Sequence, residues 1–422
     1  MINKFSDTEK NFFKANRKKL SDIMPAGSMA IVFSGEKRKK IGDEYYPFTP
    51  NRNFYYLTGI GEDGILLVTV KYADGNTEEK LFINRYDEKK AKWTGEVILE
   101  GEARENTLIE DINYKDKLEE ELSSIIFNKR INTLFLDLEN RDFVPTLESI
   151  FAKKMLLNYP YLEIKNLHFP LSAFRSIKTE YEKECLKKAI DITKEGIYSM
   201  MRNSKAGMYE YEIEAYFDFE LKRRGVTDYA FKTIAASGVN ATVLHYQENS
   251  CKTEEDSLIL FDVGAQYKYY NADITRTFPV NGKFTERQRY IYDIVLEGQR
   301  RIIDSIKPGV EFASLNENLK KYYAKELTKA GLIHSEKEVE KYYFHGVSHM
   351  LGLETHDVGR HNEGELKEGF VLTVEPGLYI KEEGIGIRIE DDVFVTAAGC
   401  EVLSKDIVKE AKDIEDIMNE GI

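Results

Sequence analysis

Asp262, Asp273, His349, Glu375 and Glu390 are oxygen and imidazole donors of the kind that hard divalent metals take. The two aspartates stand eleven positions apart in FDVGAQYKYYNAD, His349 lies in HGVSHMLGLETHD, Glu375 in TVEPGLY and Glu390 in IRIEDD. Four carboxylates and one imidazole can hold two cations a few ångströms apart if two of the carboxylates bridge, and a water between such cations becomes a nucleophile at neutral pH. Asp262 closes the apolar run LILFDV, which reads as a buried strand, and an ionised carboxylate there is costly unless paired or coordinated. Singly, these acids have ordinary alternatives: Asp273 as a turn residue or partner of Arg276, Glu390 with Arg388 as an ion pair on an edge strand. Together they fit a metal centre better.

Of seven histidines, six follow position 244, and His345, His349, His356 and His361 fall within 17 residues, a density that packing does not require. Gly346 and Gly352 allow close backbone approach and a bent path that turns several imidazoles toward one cavity. His345 and His349 have the spacing of an HExxH zinc helix, but Gly346 replaces the glutamate and rules that reading out. In the alternating segment IGIRIEDDVFV, Arg388 and Glu390 are two apart and point to one strand face, where the guanidinium can orient a ligand carboxylate. The three successive acids at 390–392 turn into the same region.

Such residues need rigid elements beneath them. A chain of 422 residues exceeds one ordinary core and implies two domains. Residues 1–172 read as an α/β domain without catalytic clustering: apolar or β-branched runs at 29–33, 65–70, 81–84 and 133–138 alternate with charged stretches of helical spacing such as 114–129, and His168 is its one histidine. HFPLSAFRS, at 168–176, marks the boundary. In residues 173–422 helical periodicity over 174–202 and 208–224 gives way to strands up to about position 280, two helices across 285–330, and strands again over 370–396. The expected fold class there is α/β in the broad, α+β sense: a curved, mostly antiparallel sheet covered by helices, with polar residues on its concave face.

FDVGAQY followed by NADITRTF, then HGVSHMLGLETHDVG, LTVEPGLYI and GIGIRIEDD, resemble in order the motifs of the proline-specific metallopeptidases of pita-bread fold. That group includes Xaa-Pro aminopeptidase, prolidase, methionine aminopeptidase and creatinase. The likeness spans most of 173–422, and PNRNFYYLTGI and LFINRYDEKKAKWTGE look like the non-catalytic domain of the Xaa-Pro aminopeptidases. The resemblance implies that Asp262, Asp273, His349, Glu375 and Glu390 bind two divalent metals, expected to be Mn2+, with Asp273 and Glu390 touching both. It implies a hydroxide bridging the metals that attacks the peptide bond before proline, with Glu375 as proton shuttle. His245, in ATVLHY, and His356 match substrate-contacting histidines, and His345 and Arg388 match supporting positions around the proline pocket and metal shell. A bond before proline lacks an N–H, so a site that holds the terminal amine through metal and the ring through an apolar pocket suits it; Tyr379 and aliphatic residues near His345 are candidate walls. Glu368, where relatives usually carry proline, and the short segment 381–384 point to an altered pocket rim.

Competing classes are weighed by the same residues. Prolidase would use the same five ligands, but KWTGE argues against it: Trp93 resembles an aminopeptidase position that reaches a neighbouring subunit's active site, which implies a homodimer or homotetramer. A metal-free pita-bread binding module would not keep all five donors. The net charge of −13 is spread along the chain without a concentration of lysine or arginine, so nucleic acid is not an expected partner, and KRKK at 37–40 reads as a solvated turn. No apolar run approaches the roughly 20 residues of a membrane span. The polar, lysine-rich first 20 residues do not read as a secretory leader, and Cys185, Cys251 and Cys400, odd in number and far apart, read as structural thiols of a cytoplasmic protein.

Overall fold

The structure, a computed structural model, describes residues 4–140, 142–359 and 364–420, so His361 lies outside the described residues. It divides into two units, Met1–Phe174 and Arg175–Ile422.

In the first unit a six-stranded mixed sheet has the order Asp111–Tyr114, Thr77–Ile83, Leu66–Lys71, Ser28–Phe33, Thr133–Leu136, Glu163–Asn166. The central strand Ser28–Phe33 is buried along its whole length, pairing antiparallel with Leu66–Lys71 and parallel with Thr133–Leu136. Its β-branched and aromatic side chains meet Val68, Phe82 and Leu134 in the core. The strand at 81–84 is longer than its apolar residues suggest: it begins at Thr77, because Leu66–Lys71 supplies a backbone partner for the charged half, of which Thr77, Glu78 and Glu79 are wholly or partly exposed.

The second unit opens with helix Glu180–Asn203, started by a capping box in which the Thr179 hydroxyl accepts from Glu182 N and the Glu182 carboxylate accepts from Thr179 N at 2.9 Å. Its apolar stripe packs on helix Glu210–Arg223, and Gly196 is required where they touch, since a Cβ there would collide with the Phe217 ring. Two further helices, Glu286–Ser305 and Phe312–Lys329, stand near the expected ranges.

Every strand pair among the described residues of this unit is antiparallel, but the sheet is in pieces. Ile234–Ser237, Leu258–Val263 and Ile274–Pro279 form one; Val371–Val374, Asp391–Val395 and Cys400–Val402 another; Gly377–Ile380 and Ile385–Arg388 a hairpin. Residues 389–390 leave the hairpin to join the second piece, and there Glu390 N donates to Thr275 O at 3.1 Å while the Thr277 hydroxyl donates to Arg388 O at 3.0 Å. Single bonds of this kind join the pieces where a ladder is interrupted. No helix among the described residues is long and apolar enough to cross a membrane.

Candidate metal centre and substrate cavity

Each of the five candidate ligands is placed by strand backbone or by its immediate continuation. Asp262 sits inside Leu258–Val263, opposite Thr275. The chain then makes a tight turn through Gln266–Tyr267 and Tyr270–Asn271 and returns with Asp273 just ahead of Ile274–Pro279. Gly264 makes that return possible, for a Cβ there would collide with the Ala272 carbonyl oxygen. The segment bearing His349 has no regular structure of its own yet runs as an antiparallel partner of Val371–Val374: Thr373 N donates to His349 O at 3.0 Å, His349 N to the Thr373 hydroxyl at 3.2 Å, and Glu375 N to Val347 O at 2.9 Å. His349 and Glu375 are thereby set side by side. Glu390 lies in the two-residue break between hairpin and sheet.

Asp273, His349 and Glu390 each offer one ligand atom, all within 4.8 Å of one another. His349 Nε2 is 3.4 Å from Asp273 Oδ2 and 3.6 Å from Glu375 Oε1. The other ring nitrogen, Nδ1, lies 3.1 Å from the Met350 carbonyl, which can only accept, so the proton of a neutral ring belongs on Nδ1. Nε2 then directs a lone pair at carboxylate oxygens, an arrangement that a cation relieves. Asp262 repeats the pattern: Oδ2 accepts from Arg388 Nη2 at 2.6 Å, while buried Oδ1 has no hydrogen-bond partner among the described residues. Burial pushes Asp273 and Glu390 well above the usual carboxylate range, helped at Asp273 by the negative charges of Asp262, Asp392 and Glu375 and at Glu390 by those of Asp273, Glu375 and Asp262. Burial also raises Glu375, against the pull of His349 and Arg388. Acids brought so close and so deep lack enough positive charge from the protein, and the donor set fits divalent cations.

Behind this cluster Arg388 divides its guanidinium among Asp262, the Thr275 hydroxyl at 3.0 Å and the Tyr379 hydroxyl at 3.1 Å. Tyr379 in turn meets His345 Nε2 at 2.9 Å, and His345 Nδ1 lies 2.7 Å from the Gly346 carbonyl. The carbonyl fixes the His345 proton on Nδ1, so Tyr379 donates to Nε2. Burial and then the charge of Arg388 bring the His345 pKa down to about 3.

Asp262, Asp273, His245, His345, His349, His356, Glu375, Arg388 and Glu390 all line one cavity of about 600 Å³. Of these nine, His245 and His356 are exposed, the His356 ring 4.3 Å from that of His349. Phe231, Ile234 and Leu244 add an apolar wall. Tyr379 is not part of that wall; it is buried behind it, bridging Arg388 and His345.

Other local expectations need correction. Arg388 and Glu390 do not share a strand, because Ile385–Arg388 ends at the arginine. The acids at 390–392 do not act together: Asp391 turns to Arg276 at 2.8 Å and Lys409 at 2.5 Å, and those cations outweigh its burial and hold its pKa down at about 2. Arg276 is therefore the partner of Asp391 and not of Asp273. Gly352 is needed, since a Cβ would strike the Asp357 carboxylate, but the space around Gly346 is open to one. Thr275 went unnoticed in the sequence. Its hydroxyl donates to Glu390 at 2.7 Å and accepts from Arg388, and the alternation of Asp273, Thr275 and Thr277 in DITRT was the available signal.

Comparison with known proteins places this geometry. Residues 184–397 match the family described as Metallopeptidase family M24, and residues 13–135 match Aminopeptidase P, N-terminal domain. The Xaa-Pro aminopeptidase of Escherichia coli (strain K12) is 32% identical over 446 residues, covering 98% of each chain. The Xaa-Pro dipeptidase of Pyrococcus furiosus is 31% identical over 350 residues, covering 80% of this chain and 96% of its own. A structure from Bacillus anthracis, solved as a candidate aminopeptidase P, superposes with a TM-score of 0.96 at 46% identity over 98% of this chain and 99% of that one.

Proposed function

Because this chain belongs to metallopeptidase family M24 and carries the N-terminal domain of aminopeptidase P beside it, we propose that its metalloaminopeptidase activity is that of an Xaa-Pro aminopeptidase, removing the first residue from peptides with proline second. The single observation that carries this reading is the convergence of five metal donors, three further histidines and Arg388 on one cavity with an apolar wall. Asp262, Asp273, His349, Glu375 and Glu390 would hold two divalent ions. Four hard oxygen donors with a single imidazole suit manganese, the ion the family likeness implies, as they also suit iron, cobalt or zinc. When bound, the ions supply the positive charge that acidifies water and polarises the scissile carbonyl.

The rest is chemistry of the chain's own side chains. Glu375 takes the proton of the attacking water and delivers it to the departing proline nitrogen. His245 and His356, at the exposed edge, contact the peptide and the oxygen on which charge develops. His345 has both ring nitrogens engaged within the protein and stays neutral near pH 7, so it positions Tyr379 and Arg388 instead of moving protons. Arg388 holds Asp262 in one orientation. Phe231, Ile234 and Leu244 suit the proline ring.

Trp93, on helix Glu88–Thr94 and 90% exposed, suits a contact with a second subunit, in keeping with a homodimer or homotetramer. Three unpaired thiols suit a cytoplasmic location. The deciding experiment gives the manganese-loaded enzyme Xaa-Pro-Yaa tripeptides and Xaa-Pro dipeptides. Tripeptide cleavage is expected; near-exclusive dipeptide cleavage would make the chain a dipeptidase, the reading that the Pyrococcus furiosus relative favours. Failure to bind manganese, with no turnover of either peptide, would leave a binding module.

A further inference from the structure

Residues 237–251 form a strap that leaves strand Ile234–Ser237, passes through the short 3-10 turn Gly238–Thr242, and returns to pair beside Tyr209 and Glu210. Its middle faces the substrate cavity with Leu244, His245 and Gln247. A segment with so little regular structure needs other ties if His245 is to keep one place, since most of its backbone has no ladder to join.

One side chain supplies many of those ties. Glu210, the first residue of helix Glu210–Arg223, is fully buried. Its Oε1 accepts from Ser237 N at 2.7 Å, the Ser237 hydroxyl at 2.7 Å and Asn240 Nδ2 at 3.0 Å. Its Oε2 accepts from the Tyr246 hydroxyl at 2.8 Å and Cys251 N at 2.9 Å. All five donors belong to the strap, and they are divided by end: the first oxygen takes the departing end, the second the returning end. Buried carboxylates satisfied this fully are strongly directional, because each donor bonds to a charged acceptor and each oxygen is anchored. The helix N-terminus under Glu210 favours the same negative charge. The strap is also seated from beneath, since a Cβ at Gly386, next to Arg388's strand end, would collide with the Ala241 carbonyl.

We propose that Glu210 is a positioning residue for the peptidase reaction: by holding both ends of the strap, it fixes where His245 meets the substrate. This rests on His245 contacting the peptide, as the proposed function has it. Glu210 touches no cavity atom and acts only through the strap. Replacing it with glutamine puts an amide N–H2 where donors already converge, which frees at least one strap end. Tyr246→Phe is the milder change: it keeps the ring in its cluster with Ile234, Ala236 and Leu260 and removes only one donor.

The test uses full-length, manganese-loaded enzyme and an Xaa-Pro-Yaa tripeptide, with wild type, Glu210→Gln, Tyr246→Phe, His245→Ala and the double variants Glu210→Gln/His245→Ala and Tyr246→Phe/His245→Ala. It is paired with amide hydrogen exchange at Ser237 and Cys251. Glu210→Gln should lower kcat/KM by about tenfold to a hundredfold, as misplacement of a contact group does, with Tyr246→Phe lower in the same direction. Neither substitution should lower it much further once His245 is alanine. Protection should fall at Ser237 and Cys251 while strand Leu258–Val263 keeps its own. Effects that multiply in full in the His245→Ala background, or unchanged protection at the two amides, would overturn the proposal. If Glu210→Gln does not fold, Tyr246→Phe decides by the same two readouts. Wild-type activity equal to that of His245→Ala would instead remove its premise, and that result is visible without any Glu210 variant.

Discussion

Asp357 offers a measure of how firmly the cavity's other exposed histidine is held. The residue follows His356 directly, and its carboxylate sits between Arg175 Nη2 at 2.5 Å and Lys178 Nζ at 2.9 Å, with all three side chains at most 2% exposed. Burial works against its ionisation, but Lys178 and Arg175 prevail and keep its pKa below the usual carboxylate range. Asp357→Asn preserves shape and leaves two buried cations facing a neutral amide, with the Glu354 carboxylate standing farther from Arg175, at 3.7 Å. A unit pair near 4 Å at an effective dielectric of about 20 is worth roughly 4 kcal/mol. Removing one partner of a buried pair costs about 3–5 kcal/mol, so a loss of about 4 kcal/mol at pH 7 is expected. The sign with pH follows from the lowered pKa: the stabilisation is complete above the unfolded value of about 4 and is lost as pH falls through the folded one. Asparagine does not titrate, so the gap between wild type and variant should narrow on acidification below pH 4. Urea unfolding of the EDTA-treated proteins at pH 7, 5 and 3 measures this. A loss below about 1 kcal/mol at pH 7, or a gap that stays constant to pH 3, would refute the reasoning. Adding Lys178→Met to Asp357→Asn should recover part of the loss, because it removes one of the stranded charges.

Three further outcomes follow from the cavity. Glu390→Ala should abolish stabilisation by manganese, which in wild type reaches about 2.7 kcal/mol at a hundredfold excess over Kd; thermal melts with and without the ion read it, and a shift equal to wild type counts against Glu390 as a ligand. Glu375→Gln should lower kcat by roughly 10²–10⁴ in metal-loaded enzyme if it carries the proton, and steady-state kinetics with a tripeptide would expose a mere binding role as a change in KM alone. Trp93→Ala, at a 90% exposed position, should leave the unfolding free energy within about 0.5 kcal/mol while lowering tripeptide turnover; full activity would detach this residue from any subunit contact at the site.

Legibility in the sequence followed how each residue is held. Asp262, Asp273 and Glu375 sit on or just outside strands whose apolar runs and neighbouring glycines are visible one residue at a time, so their grouping could be read. The same local reading failed across 388–392, because a break at 389–390 resets the alternation and sends Asp391 to Arg276. No period-two pattern contains that reset; it depends on which piece of sheet each half joins. Edge strands Asp111–Tyr114 and Glu163–Asn166 were missed for a related reason, as neither is fully buried and their side chains carry no apolar rhythm. Tyr379 shows the limit for single aromatic residues. Its size suggested a pocket wall, while its place is set by two polar partners, His345 and Arg388, which lie 34 and 9 positions away.

The cavity thus combines two kinds of support. The proposed metal donors stand on or beside strands, where backbone pairing fixes position before any ion arrives, and the mutual repulsion of their carboxylates is the cost of that rigidity. His245 and His356 lie on irregular segments and are exposed, yet a buried carboxylate, Glu210 or Asp357, ties the segment of each to a helix or to the residues just ahead of one. A substrate-contacting group must admit and release peptide, which favours a loop, but it must also return to one place, which favours an anchor. Loss of Glu210 or Asp357 should therefore impair turnover without weakening the ion's grip, whereas loss of a strand-borne donor should do both. Paired measurement of manganese affinity and kcat/KM on the two sets of variants separates them, and a fall in affinity with Glu210→Gln or Asp357→Asn equal to that with Glu390→Ala would show that the two supports are one.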